Sequence, residues 1–132
     1  MAAPESAAAG QAPAEPAPAP PFRRFVRAGD FVFVSGQASV DEAGRLVPGT
    51  FEEQLRLSME NVRRVLAQAG LDLDHVVRTG CYVHDPADAL EFNRLYREYF
   101  QAPLPARTTL TGCLTDDVRF EIDVVAYAGG EG

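Results

Sequence analysis

The chain has 132 residues, 46% of them hydrophobic and 23% charged, enough for one domain with a single core. Its net charge of −7 repels phosphate backbones and argues against nucleic acid as a main partner. No apolar run approaches the roughly 20 residues that span a bilayer, which excludes a helical membrane protein.

The first twenty residues hold nine Ala and five Pro, no basic residue and no periodic apolar pattern. They fit neither a secretory signal nor an arginine-rich presequence, and are expected to form a disordered, extended tail. The sequence turns apolar at residues 22–26, and Gly29-Asp30 forms a turn. Phe31-Val32-Phe33-Val34-Ser35-Gly36 then reads as a strand, so the two segments predict a hairpin. Thr50 opens a helix, with Glu53 three positions on completing a capping box. Leu55, Met59, Val62 and Leu66 recur every three or four residues on its apolar face, and Gly70 ends it.

Residues 75–83 read as the next strand, bracketed by His75 and His84, which are too far apart on an extended chain to share a ligand. Asp85-Pro86 starts a second helix carrying Phe92, Leu95, Tyr96 and Tyr99 on one side and Asn93 on another; it stops before Pro103. A strand is expected over 107–114, a turn at 115–117, and a closing strand in which Val118, Phe120, Ile122, Val124 and Ala126 alternate with Arg119, Glu121, Asp123, Val125 and Tyr127. Cys81 and Cys113 each sit in an apolar or strand-like segment, without a partner at metal-ligand spacing. Both are read as reduced packing residues of a cytoplasmic protein.

The order is hairpin, helix, strand, helix, hairpin. This predicts an α+β sandwich, β-β-α-β-α-β-β, with two helices packed on one face of a sheet. The other face still carries Val125 and Tyr127, so it needs a cover, and an oligomer is expected. Arg107 begins a strand just after a helix that cannot pass Pro103 and Pro105, so rigid backbone holds its guanidinium. A planar fork of donors suits a carboxylate, and Glu121, about one strand pairing downstream, is placed to handle a water or a proton.

Residues 31–37, Gln54 and Asn61, Asn93 with Tyr96 and Phe100, Pro105-Ala106-Arg107-Thr108-Thr109, and Glu121-Ile122 together resemble the Rid (YjgF) family of reactive intermediate deaminases, over about residues 21–128. The resemblance implies a chorismate-mutase-like fold, a homotrimer whose sheets form a central barrel, and sites in the clefts between subunits. It implies hydrolysis of 2-imino and enamine acids, such as 2-iminopropionate and 2-aminoacrylate, to 2-keto acids and ammonia, with no cofactor and no metal. By position, Arg107 matches the arginine that grips the substrate carboxylate, Glu121 the glutamate near the attacking water, Ser35 a site hydroxyl and Asn93 a polar side chain at the rim. Phe22 stands where the deaminases usually have tyrosine, and Thr109 where several have cysteine. The strand from Arg107 also reads one residue shorter than in that subgroup. These departures leave the arginine clamp but imply a bulkier or more apolar imine. The alternatives are an enzyme dedicated to one pathway imine or enamine, and a non-catalytic trimer that binds 2-keto acids.

Overall fold

Alternation along the last strand sets the layers. Phe120, Ile122, Val124 and Ala126 are buried, whereas Glu121, Asp123, Val125 and Tyr127 between them are half-buried. The structure, a computed structural model, describes residues 19–129. The Ala/Pro-rich segment and the closing glycines lie outside the described residues except for 19, 20 and 129. In chain order the elements are β1 (Phe25–Ala28), β2 (Phe31–Ala38), α1 (Phe51–Gln68), β3 (Val76–Val83), α2 (Ala89–Tyr99), β4 (Ala106–Thr111) and β5 (Phe120–Tyr127).

These form one mixed sheet in the order β1-β2-β5-β3-β4, with β4 parallel to β3 and every other pairing antiparallel. The predicted β-β-α-β-α-β-β order holds, but the closing hairpin does not. β5 inserts between β2 and β3, and β4 pairs on the far side of β3. Composition explains the exchange. β5 is apolar enough to be covered by neighbours on both edges, whereas Ala-Arg-Thr-Thr-Leu-Thr is exposed along its whole length and suits an edge. Boundaries shift as well: β1 starts at Phe25 rather than 22, leaving Phe22 outside it, and β4 ends at Thr111 rather than 114. Asp85 caps a 3-10 turn, Pro86–Asp88, and α2 itself begins only at Ala89.

Both helices pack on the face that carries Phe120, whose ring centroid lies 5.9 Å from Phe51 of α1 and 5.6 Å from Phe92 of α2. The expected α1 stripe is buried in full, and the Thr50–Glu53 capping box forms as read. Gly70 adopts φ +76°, the left-handed conformation that ends a helix. Cys81 is buried, and burial raises its thiol pKa to about 11. Cys113 is exposed, against the packing role expected of it, because it falls in the loop beyond β4 rather than inside a strand. No helix among the described residues is long and apolar enough to cross a membrane.

The second face has no helix on it. Phe31 and Phe33 are 42% and 46% exposed there, and the Phe31 ring packs beside Tyr127 at 5.1 Å. Apolar side chains along a sheet face are a surface built to be covered.

Gln54 and Asn61, two polar residues on the buried side of α1, act as staples inside the helix layer. Gln54, 1% exposed, donates to the Val47 and Asp117 carbonyls at 3.2 and 3.1 Å and accepts from the Arg119 N–H at 2.8 Å. It thereby ties the two long loops to α1. Asn61 donates to the carbonyls of Ala38 and Val40, both at 3.0 Å. Replacing Gln54 with leucine takes away the partner of the Asp117 carbonyl and of the Arg119 N–H, while the Val47 carbonyl keeps the Ser39 hydroxyl. Gln54→Leu is therefore expected to cost about 3 kcal/mol in urea denaturation, against less than about 0.5 kcal/mol for an exposed change such as Glu60→Gln.

Candidate functional site

The pieces of a candidate site lie on different strands and on opposite faces of the sheet. On the β4 edge, Arg107 pairs in register with Thr79, and Thr79 faces the helix layer, so Arg107 points toward α2. Its guanidinium carbon lies 4.8 Å from the Phe92 ring centroid and 4.7 Å from that of Tyr96. Nη2 donates to Asn93 Oδ1 at 2.9 Å. Each cation–π contact at a partly exposed site contributes about 0.5–1 kcal/mol. Their chief effect is to hold a long side chain in one pose while its remaining N–H groups stay open. Tyr96 is fixed in turn by a 2.8 Å hydrogen bond between its hydroxyl and that of Thr79 in the core, and burial raises its pKa. Asn93, Tyr96, Arg97, Leu104, Pro105 and Arg107 line a cavity of about 230 Å³. That is below the roughly 300–1,000 Å³ of sites for drug-sized ligands, and suits a small metabolite rather than a nucleotide.

Glu121 is on the opposite face. It pairs with Tyr82 of β3 and Ala38 of β2, away from both helices. A Cβ at Gly36 would collide with its carboxylate, so the glycine in the irregular stretch of β2 makes the room it occupies. Burial raises its pKa above 4.5, and the Asp123 charge adds to the effect. Asp123 accepts from Tyr82 Oη at 2.6 Å, and this bond is the largest cause of a tyrosine pKa raised to about 12. Gly80 plays the same part for Asp123 as Gly36 does for Glu121: a Cβ there would sit 2.8 Å from Oδ1.

The candidate residues therefore fall into two groups that one chain does not bring together. Arg107, Asn93 and Thr109 belong to the β4–α2 edge, with Thr109 two positions from Arg107 on the same face. Glu121 and Ser35 belong to the β5–β2 side. Ser35 Oγ donates to the Arg23 carbonyl at 2.7 Å, and Phe22, the residue before Arg23, is 63% exposed beyond the start of β1. The expectation that Glu121 stands one strand pairing from Arg107 is overturned. β3 intervenes, and the two side chains leave the sheet on opposite faces. The histidines take local roles: His75 Nδ1 accepts from the Asp72 N–H at 3.1 Å, and His84 Nε2 bonds Asp116 Oδ1 at 3.1 Å.

Sequence reasoning treated Tyr96 as core and passed over Arg97 and Leu104. The spacing 93, 96, 97 on one helix face was the signal available for the first two. Leu104, between Pro103 and Pro105, carried none.

The profile of the Endoribonuclease L-PSP family matches residues 12–128. The chain belongs to the Rid (YjgF/RutC) family. It is 36% identical over 114 residues to a RutC family protein of Pyrococcus abyssi, spanning 85% of this chain and 90% of that one. It is 34% identical over 116 residues to the 2-iminobutanoate/2-iminopropanoate deaminase of Mus musculus, spanning 86% of each. Among solved structures, a putative endoribonuclease of Thermotoga maritima superposes with a TM-score of 0.76 at 33% identity, covering 86% of this chain and 89% of that one. The five-stranded sheet with two helices is thus the Rid fold, similar to that of chorismate mutase.

The support beneath Arg107 can be dissected by stability. Tyr96→Phe leaves the buried Thr79 hydroxyl with only the weak 3.6 Å contact from the Cys81 thiol and is expected to cost about 1 kcal/mol in chemical denaturation. Asn93→Ala, at the solvent-exposed end of the same cluster, is expected to cost less than about 0.5 kcal/mol.

Proposed function

We propose that this Rid-family chain hydrolyses small 2-imino and enamine acids, of the 2-iminopropionate and 2-aminoacrylate type, to 2-keto acids and ammonia. The observation that carries the reading is Arg107. Its guanidinium is braced by two rings and an amide at the mouth of a small cavity, and no carboxylate stands within salt-bridge distance of it among the described residues. A braced cation without an anion is a receptor for one. The substrate carboxylate takes the open N–H groups as a bidentate pair.

The chemistry asks little more of the protein. An enamine becomes an iminium when its C3 takes a proton, and an iminium carbon is already electrophilic. Water attacks that carbon while a carboxylate accepts one of its protons, giving a carbinolamine. Return of the proton to nitrogen breaks the C–N bond, the hydroxyl proton leaves as the carbonyl forms, and one water is consumed per ammonium released. Glu121 is the proposed acceptor, since a desolvated carboxylate with a raised pKa is a better base than an exposed one.

Arg107 and Glu121 cannot meet on one substrate within one chain, so the reading requires a second copy. Ser35, Phe22 and Glu121 toward one edge of the sheet and Arg107, Asn93 and Thr109 at the other are complementary halves. Halves on different surfaces assemble head to tail, and such contacts close as a ring. We take the ring to be a homotrimer, with the exposed Phe31, Phe33 and Leu110 covered inside it. The net charge of −7 favours a small anion held by local arginines over a polynucleotide.

The assay follows loss of 2-iminobutyrate or 2-iminopropionate, made in place by an amino acid oxidase with semicarbazide as competing trap. Wild type is expected to accelerate hydrolysis, and Arg107→Ala to lower kcat/KM by about 100-fold, the equivalent of roughly 3 kcal/mol of charge-assisted binding. No acceleration by wild type overturns the reading. Refolding Arg107→Ala and Glu121→Gln together, each strongly impaired alone, is expected to restore full activity in about one quarter of the sites, because each site draws its Arg and its Glu from different copies. Failure to complement places both groups in one copy's site. Glu121 must be ionised to accept a proton, so activity falls as pH drops through its pKa. The acid limb of kcat/KM is expected above pH 4.5 and is lost in Glu121→Gln.

A further inference from the structure

The cavity that holds Arg107 is lined by a second arginine, Arg97, that the clamp does not use. Arg97 lies one helical turn beyond Asn93 on α2, and Asn93 is the residue that accepts from Arg107, so the helix repeat carries Arg97 alongside the same opening. The neighbouring cation on the helix, Arg94, is occupied: Glu52, Glu91 and Glu98 all stand within 4.0 Å of it. Arg97 has no carboxylate within that distance among the described residues, and the cavity lining contains no acidic residue. In a chain of net charge −7, two arginines and no acidic residue lining one small cavity are a local reversal of sign. One cation answers one carboxylate. The second asks for another.

We infer that the cavity accepts a small dicarboxylate, a four- or five-carbon 2-imino or 2-keto diacid, with the 1-carboxylate on Arg107 and the distal carboxylate on Arg97. The inference rests on the hydrolase reading for the imino form of the ligand, and on the cavity alone for the keto form. The size agrees: about 230 Å³ holds a molecule of ten heavy atoms or so but not a nucleotide. Leu104 and Pro105 supply a wall for the methylene groups between the two acids.

The test compares 2-iminoglutarate with 2-iminobutyrate in the trapping assay, using the full chain and Arg97→Gln. Wild type is expected to accelerate both. The ratio of kcat/KM for the diacid to that for the monoacid is expected to fall about tenfold in Arg97→Gln, the loss of one charge-assisted contact. Turnover of the monoacid alone, or a ratio that stays within about twofold, overturns the inference and leaves the hydrolase reading intact. If neither substrate is accelerated, the hydrolase reading fails, and titration calorimetry with the stable analogues 2-oxoglutarate and 2-oxobutyrate decides the cavity. Tighter binding of 2-oxoglutarate that is lost in Arg97→Gln supports the diacid site; equal binding, or none, refutes it. Sedimentation of Arg97→Gln guards the comparison, because a change in assembly state would make Arg97 an interface residue and overturn the assignment.

Discussion

Two-residue periodicity along the strands is the constraint on which this molecule depends. It gives β5 a buried row that meets the helices and a second row that meets none, and in the same way it turns Arg107 of β4 toward α2. The sheet order then separates the candidate groups in the other dimension. β5 and β3 lie between the strand of Ser35 and that of Arg107, so the two are three strand spacings apart, roughly 14 Å. Separation by face and by strand keeps the two groups of candidate residues apart within a single chain. A sheet face carrying exposed phenylalanines supplies an apolar reason for copies to associate.

Each half-site is rigid for a different reason. The Arg107 half is braced through a chain of contacts that ends in the core: Thr79 holds the Tyr96 hydroxyl, the Tyr96 and Phe92 rings hold the guanidinium, and Asn93 fixes its rotation. The Glu121 half depends instead on missing atoms. Gly36 and Gly80 leave the space that the Glu121 and Asp123 carboxylates fill, and the Tyr82–Asp123 bond keeps the second carboxylate in place. Side chains held by packing and by strand backbone need little reorganisation when a substrate arrives, which is where positioning catalysis gains its rate.

The family assignment and the arrangement of charge bear on different questions. Membership in the Rid family concerns the fold and the type of chemistry found among relatives. What this chain binds depends on the residues around Arg107, and there Arg94, ringed by three carboxylates, and Arg97, with no carboxylate in salt-bridge distance among the described residues, stand three residues apart on one helix.

Read as sequence alone, the chain already determined both helices and their buried stripes, the Thr50–Glu53 cap, the order of elements and the presence of an uncovered sheet face. These are local: each depends on spacings of two, three or four residues. Arg107 and Glu121 were legible as candidates because a planar donor fork after a proline break suits a carboxylate and a carboxylate downstream can take a proton, and the family resemblance carried Asn93, Ser35, Phe22 and Thr109. Only the tertiary structure decided that β5 displaces β4 from the expected hairpin, since strand order is a competition for burial among all five strands and no one segment encodes it. For the same reason it alone decided that Arg107 and Glu121 diverge, and that Arg97 joins Arg107 at one cavity. Which side chains share a space depends on how strands and helices far apart in the chain come together.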